Sequence, residues 1–172
     1  MYDYQISDAR IAAWMLLFQA FYAIRKAEDR RLAKAKVGLS HEKVTVLQLA
    51  KLYDSPLTPA EVSRSLFRES QTIAGLLSRM DGEGLVTRDV KRKGKPYTEI
   101  KATTKGEELC QRGVETIRSF VIDIMSCLSA EELEQLQELL AKIRQRALDD
   151  LHIEPLAGPP SVHRWTTLPV GL

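Results

Sequence analysis

Two short stretches of the chain carry side chains suited to a polyanion. Lys91-Arg92-Lys93-Gly94-Lys95-Pro96 sets four cations in six residues around a glycine and a proline. Cations at that density neutralise phosphates and release counterions, which is the main source of affinity for a nucleic-acid duplex. A narrow minor groove concentrates negative potential and favours arginine. Arg92 is therefore the candidate for that groove, and Lys91, Lys93 and Lys95 for phosphates. Upstream, Ser70, Gln71, Thr72, Ala74, Gly75 and Ser78 are small or short and polar. On one helical face, such residues let the backbone come close to base edges. There Gln71 can pair with adenine, while Ser70 and Thr72 touch phosphates at the helix start.

No comparable set points to catalysis or to a metal. His41, His152 and His163 are scattered, and Cys110 and Cys127 lack ligand spacing. There is no nucleophile elbow, Walker loop or dinucleotide fingerprint. The expectation is a protein that is not an enzyme and needs no cofactor. The two cysteines lie 17 residues apart on one expected helix. That is about 25 Å at ~1.5 Å per residue, too far for a disulfide. Cys110 falls on an apolar seam and reads as a small buried hydrophobe. So few cysteines point to a reducing cytoplasm. No run of about 18 apolar residues suggests a membrane span, and the mixed polar stretch from Met1 to Arg10 does not resemble a secretory leader.

Net charge over the 172 residues is only +2, but it is segregated. Arg88 to Lys101 carries +4, and Glu107 to Asp150 carries −5. The elements around these segments are legible from period and punctuation. Residues 8–36 repeat apolar positions at helical steps (Ile11, Trp14, Met15, Phe18, Phe21, Tyr22), end in a basic turn and stop at Gly38. Ser40 caps a second helix to about residue 53, broken by Ser55-Pro56. Thr58-Pro59-Ala60-Glu61 is a capping box with proline at the first helical position, opening a third helix to Leu66. A fourth helix runs from Ser70 to Glu83 and ends at Gly84, with Ile73, Leu76, Leu77 and Met80 as its buried stripe. Two short strands, 85–90 and 97–102, flank the basic loop. Thr104 to Glu107 and Ser129 to Glu132 read as capping boxes of a fifth and a sixth helix.

Those last two helices have the clearest period in the chain. Cys110, Val114, Ile117, Val121, Ile124 and Leu128 form one seam, and Leu133, Leu136, Leu140, Ile143 and Ala147 another. Seams of this kind need a partner helix. The fold class is mostly α with a small β-hairpin wing: a winged helix-turn-helix with long N- and C-terminal dimerisation helices. The domains expected are a helical dimerisation region at 1–36 and 103–152, a DNA-binding lobe at 37–102, and a proline-rich tail at 153–172. Trp14, Phe18 and Tyr22 are candidates for an effector pocket between the two regions.

Motif order adds a family resemblance. Leu57-Thr58-Pro59-Ala60-Glu61, Ser70-Gln71-Thr72-Ile73, Ser78-Arg79-Met80, Glu83-Gly84-Leu85-Val86-Thr87-Arg88 and Thr104-Lys105-Gly106-Glu107 occur in the order and spacing of the MarR family of bacterial transcription regulators, over roughly residues 8–152. The resemblance implies a homodimer built from the first, fifth and sixth helices. It also implies a near-palindromic double-stranded operator and release by a small aromatic or other effector. The chain departs from the family in two places. The wing tip lacks the aspartate that usually orients its arginine, and Gly75 stands where a larger polar or basic residue is common. The expected function is a DNA-binding transcriptional regulator, a repressor by type. The alternative is a winged-helix dimer that docks a protein partner and has lost DNA binding.

Overall fold

Side-chain caps fix where the helices begin. The computed structural model describes residues 7–53, 56–92 and 96–151. Lys93, Lys95, His152, His163 and the 153–172 tail lie outside the described residues. The order is α1 (Ala9–Lys34), α2 (His41–Leu52), α3 (Pro59–Leu66), α4 (Ser70–Gly82), β1 (Val86–Lys91), β2 (Tyr97–Ala102), α5 (Thr104–Met125) and α6 (Ala130–Asp150). Asp8 caps α1 and Ser40 caps α2. Thr58 with Glu61, and Ser129 with Glu132, form the two reciprocal capping boxes expected from sequence. The box expected at Thr104 is one residue out. Thr103 is the cap, its hydroxyl accepting the Gly106 N–H at 3.0 Å. The same hydroxyl donates to the Gly84 carbonyl at 2.7 Å, which fixes Thr103 rather than Thr104 in that place.

Left-handed residues fix where helices stop. α4 ends as expected, with Gly84 at φ 68° and the Leu85 amide reaching back to the Met80 carbonyl at 2.9 Å. The stop of α1 comes at Lys36, φ 51°, two residues before Gly38. The Val37 amide bonds the Leu32 carbonyl at 3.2 Å, and both side chains are buried together. That apolar contact selects the turning residue, lysine or not. Phe67 turns left-handed at φ 50° between α3 and α4.

β1 and β2 pair antiparallel from Val86↔Ala102 to Lys91↔Tyr97. A short bridge adds Leu57, whose carbonyl accepts the Ile100 amide at 2.8 Å. Inside this frame Val44, Leu47, Val62, Ile73, Leu77, Met80, Leu85 and Ile100 are sealed from solvent. Each such burial contributes about 1.5–3 kcal/mol. The core therefore belongs to the lobe, and it is what holds α4 and the hairpin in place.

α5 lies across that core at two glycines. A Cβ on Gly106 would stand 2.1 Å from the Leu85 carbonyl oxygen, and one on Gly113 would stand 2.7 Å from a Val44 methyl. α1 joins through the Arg31–Asp123 ion pair, and the Arg31 guanidinium lies 5.9 Å from the centre of the Phe120 ring. Buried Glu28 meets Arg25 at 3.2 Å and lies 2.7 Å from His41 Nδ1 at the start of α2, out of line for a hydrogen bond. Cys110 is in the core, its Sγ 3.9 Å from the Val44 carbonyl. Burial, reinforced by Glu107 and opposed by Lys51, pushes its thiol up to about 11. Cys127, just past the end of α5, is exposed.

Two outcomes test this packing. Gly106→Ala forces a methyl into a backbone carbonyl and is expected to cost about 1–3 kcal/mol or more in a urea unfolding titration. A variant as stable as wild type would refute the close approach. An aromatic disulfide reagent at pH 7 is expected to titrate one thiol per native chain, Cys127, and two after unfolding. Rapid reaction of both thiols in the native protein would contradict the buried, protonated state of Cys110.

Candidate nucleic-acid interface

The sequence of α4 divides its surface in two. Ile73, Leu76, Leu77 and Met80 are buried, whereas Ser70, Gln71, Thr72, Ala74 and Ser78 are exposed and Gly75 is half-buried. The expected small, polar outer face is therefore assembled as a single surface. Its orientation is fixed from both ends. At the start, Phe67 makes the turn and Arg68 pairs with Glu42 of α2 at 2.8 Å. At the end, the Glu83 carboxylate holds Lys43 of α2 at 2.6 Å, and its carbonyl accepts from Lys105 of α5 at 2.8 Å. Glu69 stands at the cap position without a side-chain hydrogen bond to the helix. The first amides of α4 thus keep no side-chain cap, leaving donors at an electropositive helix end.

The hairpin carries its cations differently from the sequence expectation. Asp89 and Glu99 face one another across the strands. Lys91 sits 3.7 Å from each of them, and Lys101 lies 3.2 Å from Glu99. Lys91, expected to be free for phosphates, is thus shared between two carboxylates near the tip end of the strands. Exposed pairs of this kind contribute only about 0–1 kcal/mol, so a phosphate can compete for the ammonium. Arg92 at the end of β1 is exposed, and among the described residues no carboxylate pairs with it.

The aromatic set on α1 does not enclose a cavity within one chain. Trp14 and Phe18 stack with centroids 4.6 Å apart and Phe18 and Tyr22 at 6.1 Å. All three remain exposed, at 57%, 43% and 63%. Ile11, Leu16 and Phe21 on the same helix are exposed too, as are Val121 and Ile122 on α5 and Leu139, Leu140 and Ile143 on α6. Apolar surface of that extent on neighbouring helices has the character of an interface.

One polar residue of the α4 face was missing from the sequence-based site. Arg79 is exposed, and its Nη1 lies 3.6 Å from where a Cβ would stand on Gly75. The four-residue spacing from glycine to arginine was the available signal. Helical side chains lean toward the N-terminus, so Arg79 covers the turn before it.

No family model matches the sequence. Among solved structures, the chain is similar to the organohalide-sensing RdhR transcriptional regulator in its ligand-free form, with a TM-score of 0.78 and 22% identity over 91% of this chain and 94% of that one. The RdhR regulator has also been solved with 2,4-dichlorophenol bound. MepR of S. aureus, solved as a DNA complex, is similar at a TM-score of 0.71 and 21% identity over 81% and 99%. A MarR-family regulator from Rhodococcus sp. RHA1 is similar at a TM-score of 0.68 and 19% identity over 80% and 96%. With its uncapped fourth helix, its basic hairpin and its helical arms in this arrangement, the chain has the winged helix-turn-helix fold of the MarR-family transcriptional regulators.

Proposed function

We propose that the protein is a sequence-specific double-stranded DNA-binding regulator that acts as a homodimer, most simply by repression. The observation that carries the reading is the outer face of α4. It is small and polar over its length, fixed at both ends, and backed by the sealed core of the lobe. A helix held in this way fits the major groove with short side chains toward base edges. Arg92 extends the contact to the adjacent minor groove, with Lys91, Lys93 and Lys95 toward phosphates. The MepR structure, a DNA complex of the same fold, supports the docking geometry.

The exposed apolar residues of α1, α5 and α6 support the dimer. A second copy would cover Phe21, Val121, Leu140 and Ile143 and would place two α4 helices about one helical turn of duplex apart, matching a near-palindromic operator. Trp14, Phe18 and Tyr22 are exposed along α1, and a partner subunit packed there would close a pocket around a small apolar effector. The dichlorophenol-bound RdhR regulator lends that reading its precedent. The second reading, a winged-helix module for a protein partner, draws on the engagement of Lys91 by Asp89 and Glu99. A gel shift with the neighbouring promoter separates the two.

Arg92→Ala is expected to weaken operator binding about tenfold and to lower the slope of log affinity against log salt by roughly one. Unchanged affinity and slope would remove the wing from the interface. Sedimentation should give a dimer for the native protein at micromolar concentration. The double variant Phe21→Lys, Ile143→Glu should sediment as a helical monomer with no operator binding. A monomeric native protein, or a dimeric double variant, would overturn the proposed interface.

A further inference from the structure

The reading of α4 as the base-contacting helix leaves open which side chain reads. We infer that Arg79, seated over Gly75, is the principal specificity-determining residue, and that it recognises guanine at one position in each half-site. The inference rests on the DNA-binding reading above.

The geometry of the helix gives the first argument. At about 100° per residue, Gln71 and Gly82 fall at the middle of the exposed face, Ser78 and Gly75 about 30° to either side of it, and Arg79 about 40° beyond Gly75. A Cβ on Gly82 would meet nothing within 4 Å. Two of these positions are bare backbone, and the polar groups around them are those of Gln71, Ser78 and Arg79. Of these, Arg79 has the longest reach and the charge.

The path of the arginine gives the second argument. Recognition helices meet bases mainly with their N-terminal half, and Arg79 is in the last turn of α4. Its guanidinium nevertheless arrives beside Gly75, one turn nearer the N-terminus, at ordinary contact distance from the missing Cβ. An alanine at position 75 would fit there. A longer side chain would occupy the seat of the guanidinium. The glycine thus has a positive role: it admits an arginine from the following turn toward the middle of the face.

The third argument is the state of the charge. Glu42, Glu83, Asp89 and Glu99 each hold a lysine or an arginine in this lobe. Among the described residues, no carboxylate pairs with Arg79. Its planar fork of donors is free, and the acceptor pair that matches such a fork in the major groove is O6 and N7 of guanine.

Selection of bound duplexes from a random pool tests the inference. The wild-type protein is expected to enrich a two-fold symmetric consensus with one guanine per half-site that Arg79→Ala no longer selects. Arg79→Ala should lose about ten- to a hundredfold in affinity for the selected operator, a clearly larger loss than for non-specific duplex, and keep the wild-type melting temperature. Arg79→Lys should keep the salt slope while relaxing that same position. Gly75→Gln should change preference there with Arg79 still present, an effect that a merely structural arginine would not produce. Arg79→Ala returning the wild-type consensus would overturn this inference alone. A wild-type protein that enriches no sequence would overturn the DNA-binding reading and this inference with it.

Discussion

The contact between Gly106 and the carbonyl of Leu85 is the constraint on which the rest of the molecule hangs. It is a backbone-to-backbone approach that tolerates no Cβ. Three further bonds converge on the same corner. The Thr103 amide donates to the Leu85 carbonyl at 3.1 Å, its hydroxyl donates to Gly84, and Lys105 donates to Glu83. The corner joins the end of α4, the root of β1 and the start of α5. A long helix that begins there cannot tilt without moving the recognition helix and the wing together. The lobe and the helix that leaves it are thereby tied at one corner, so a displacement of α5 carries α4 and the hairpin with it.

The electrostatics are arranged around that object unevenly. Within the lobe, acids are spent on holding elements together: Glu42 on Arg68, Glu83 on Lys43, and Asp89 and Glu99 on Lys91 and Lys101 of the hairpin strands. Among the described residues of the lobe, Lys51, Arg64, Arg79, Arg88 and Arg92 are left without a carboxylate, and of these Arg79 stands on α4 and Arg92 on the wing. Exposed pairs contribute little to stability. Their larger effect is to decide where uncompensated positive charge is left, and so where a phosphate backbone is drawn.

The lobe was legible in the sequence because its signals are local. Thr58-Pro59-Ala60-Glu61 is a complete capping box within four residues, and it forms. Gly84 needed only its own φ to end α4. Local reasoning failed where a distant partner decided. Thr103 displaced Thr104 as cap because Gly84, nineteen residues away, takes its hydroxyl proton. Lys36 displaced Gly38 because Val37 had an apolar seat against Leu32. Lys91 read as a free cation because nothing in the sequence tells that Asp89 and Glu99 face each other across the hairpin. The helical period puts Arg79 on the outer face of α4 but, in the last turn, gives it no contact; only the direction of its side chain puts its charge at Gly75.

The arms reverse this pattern. Their period was the clearest in the sequence, and yet much of what it predicted to be buried stands open in the single chain. Phe120 and Leu148 are covered, while Val121, Leu140 and Ile143 are not. A sequence can encode a seam without encoding whose side chains fill it. In a protein that pairs with its own copy, half of the buried surface is supplied by a second chain of identical sequence, and every residue must serve both sides of the two-fold axis. The aromatic row Trp14, Phe18 and Tyr22 belongs to this undecided surface. Its helical spacing fits a core stripe, an interface or a pocket lining equally, and only the exposure of all three rings in the single chain shows that the first of these is not met within it.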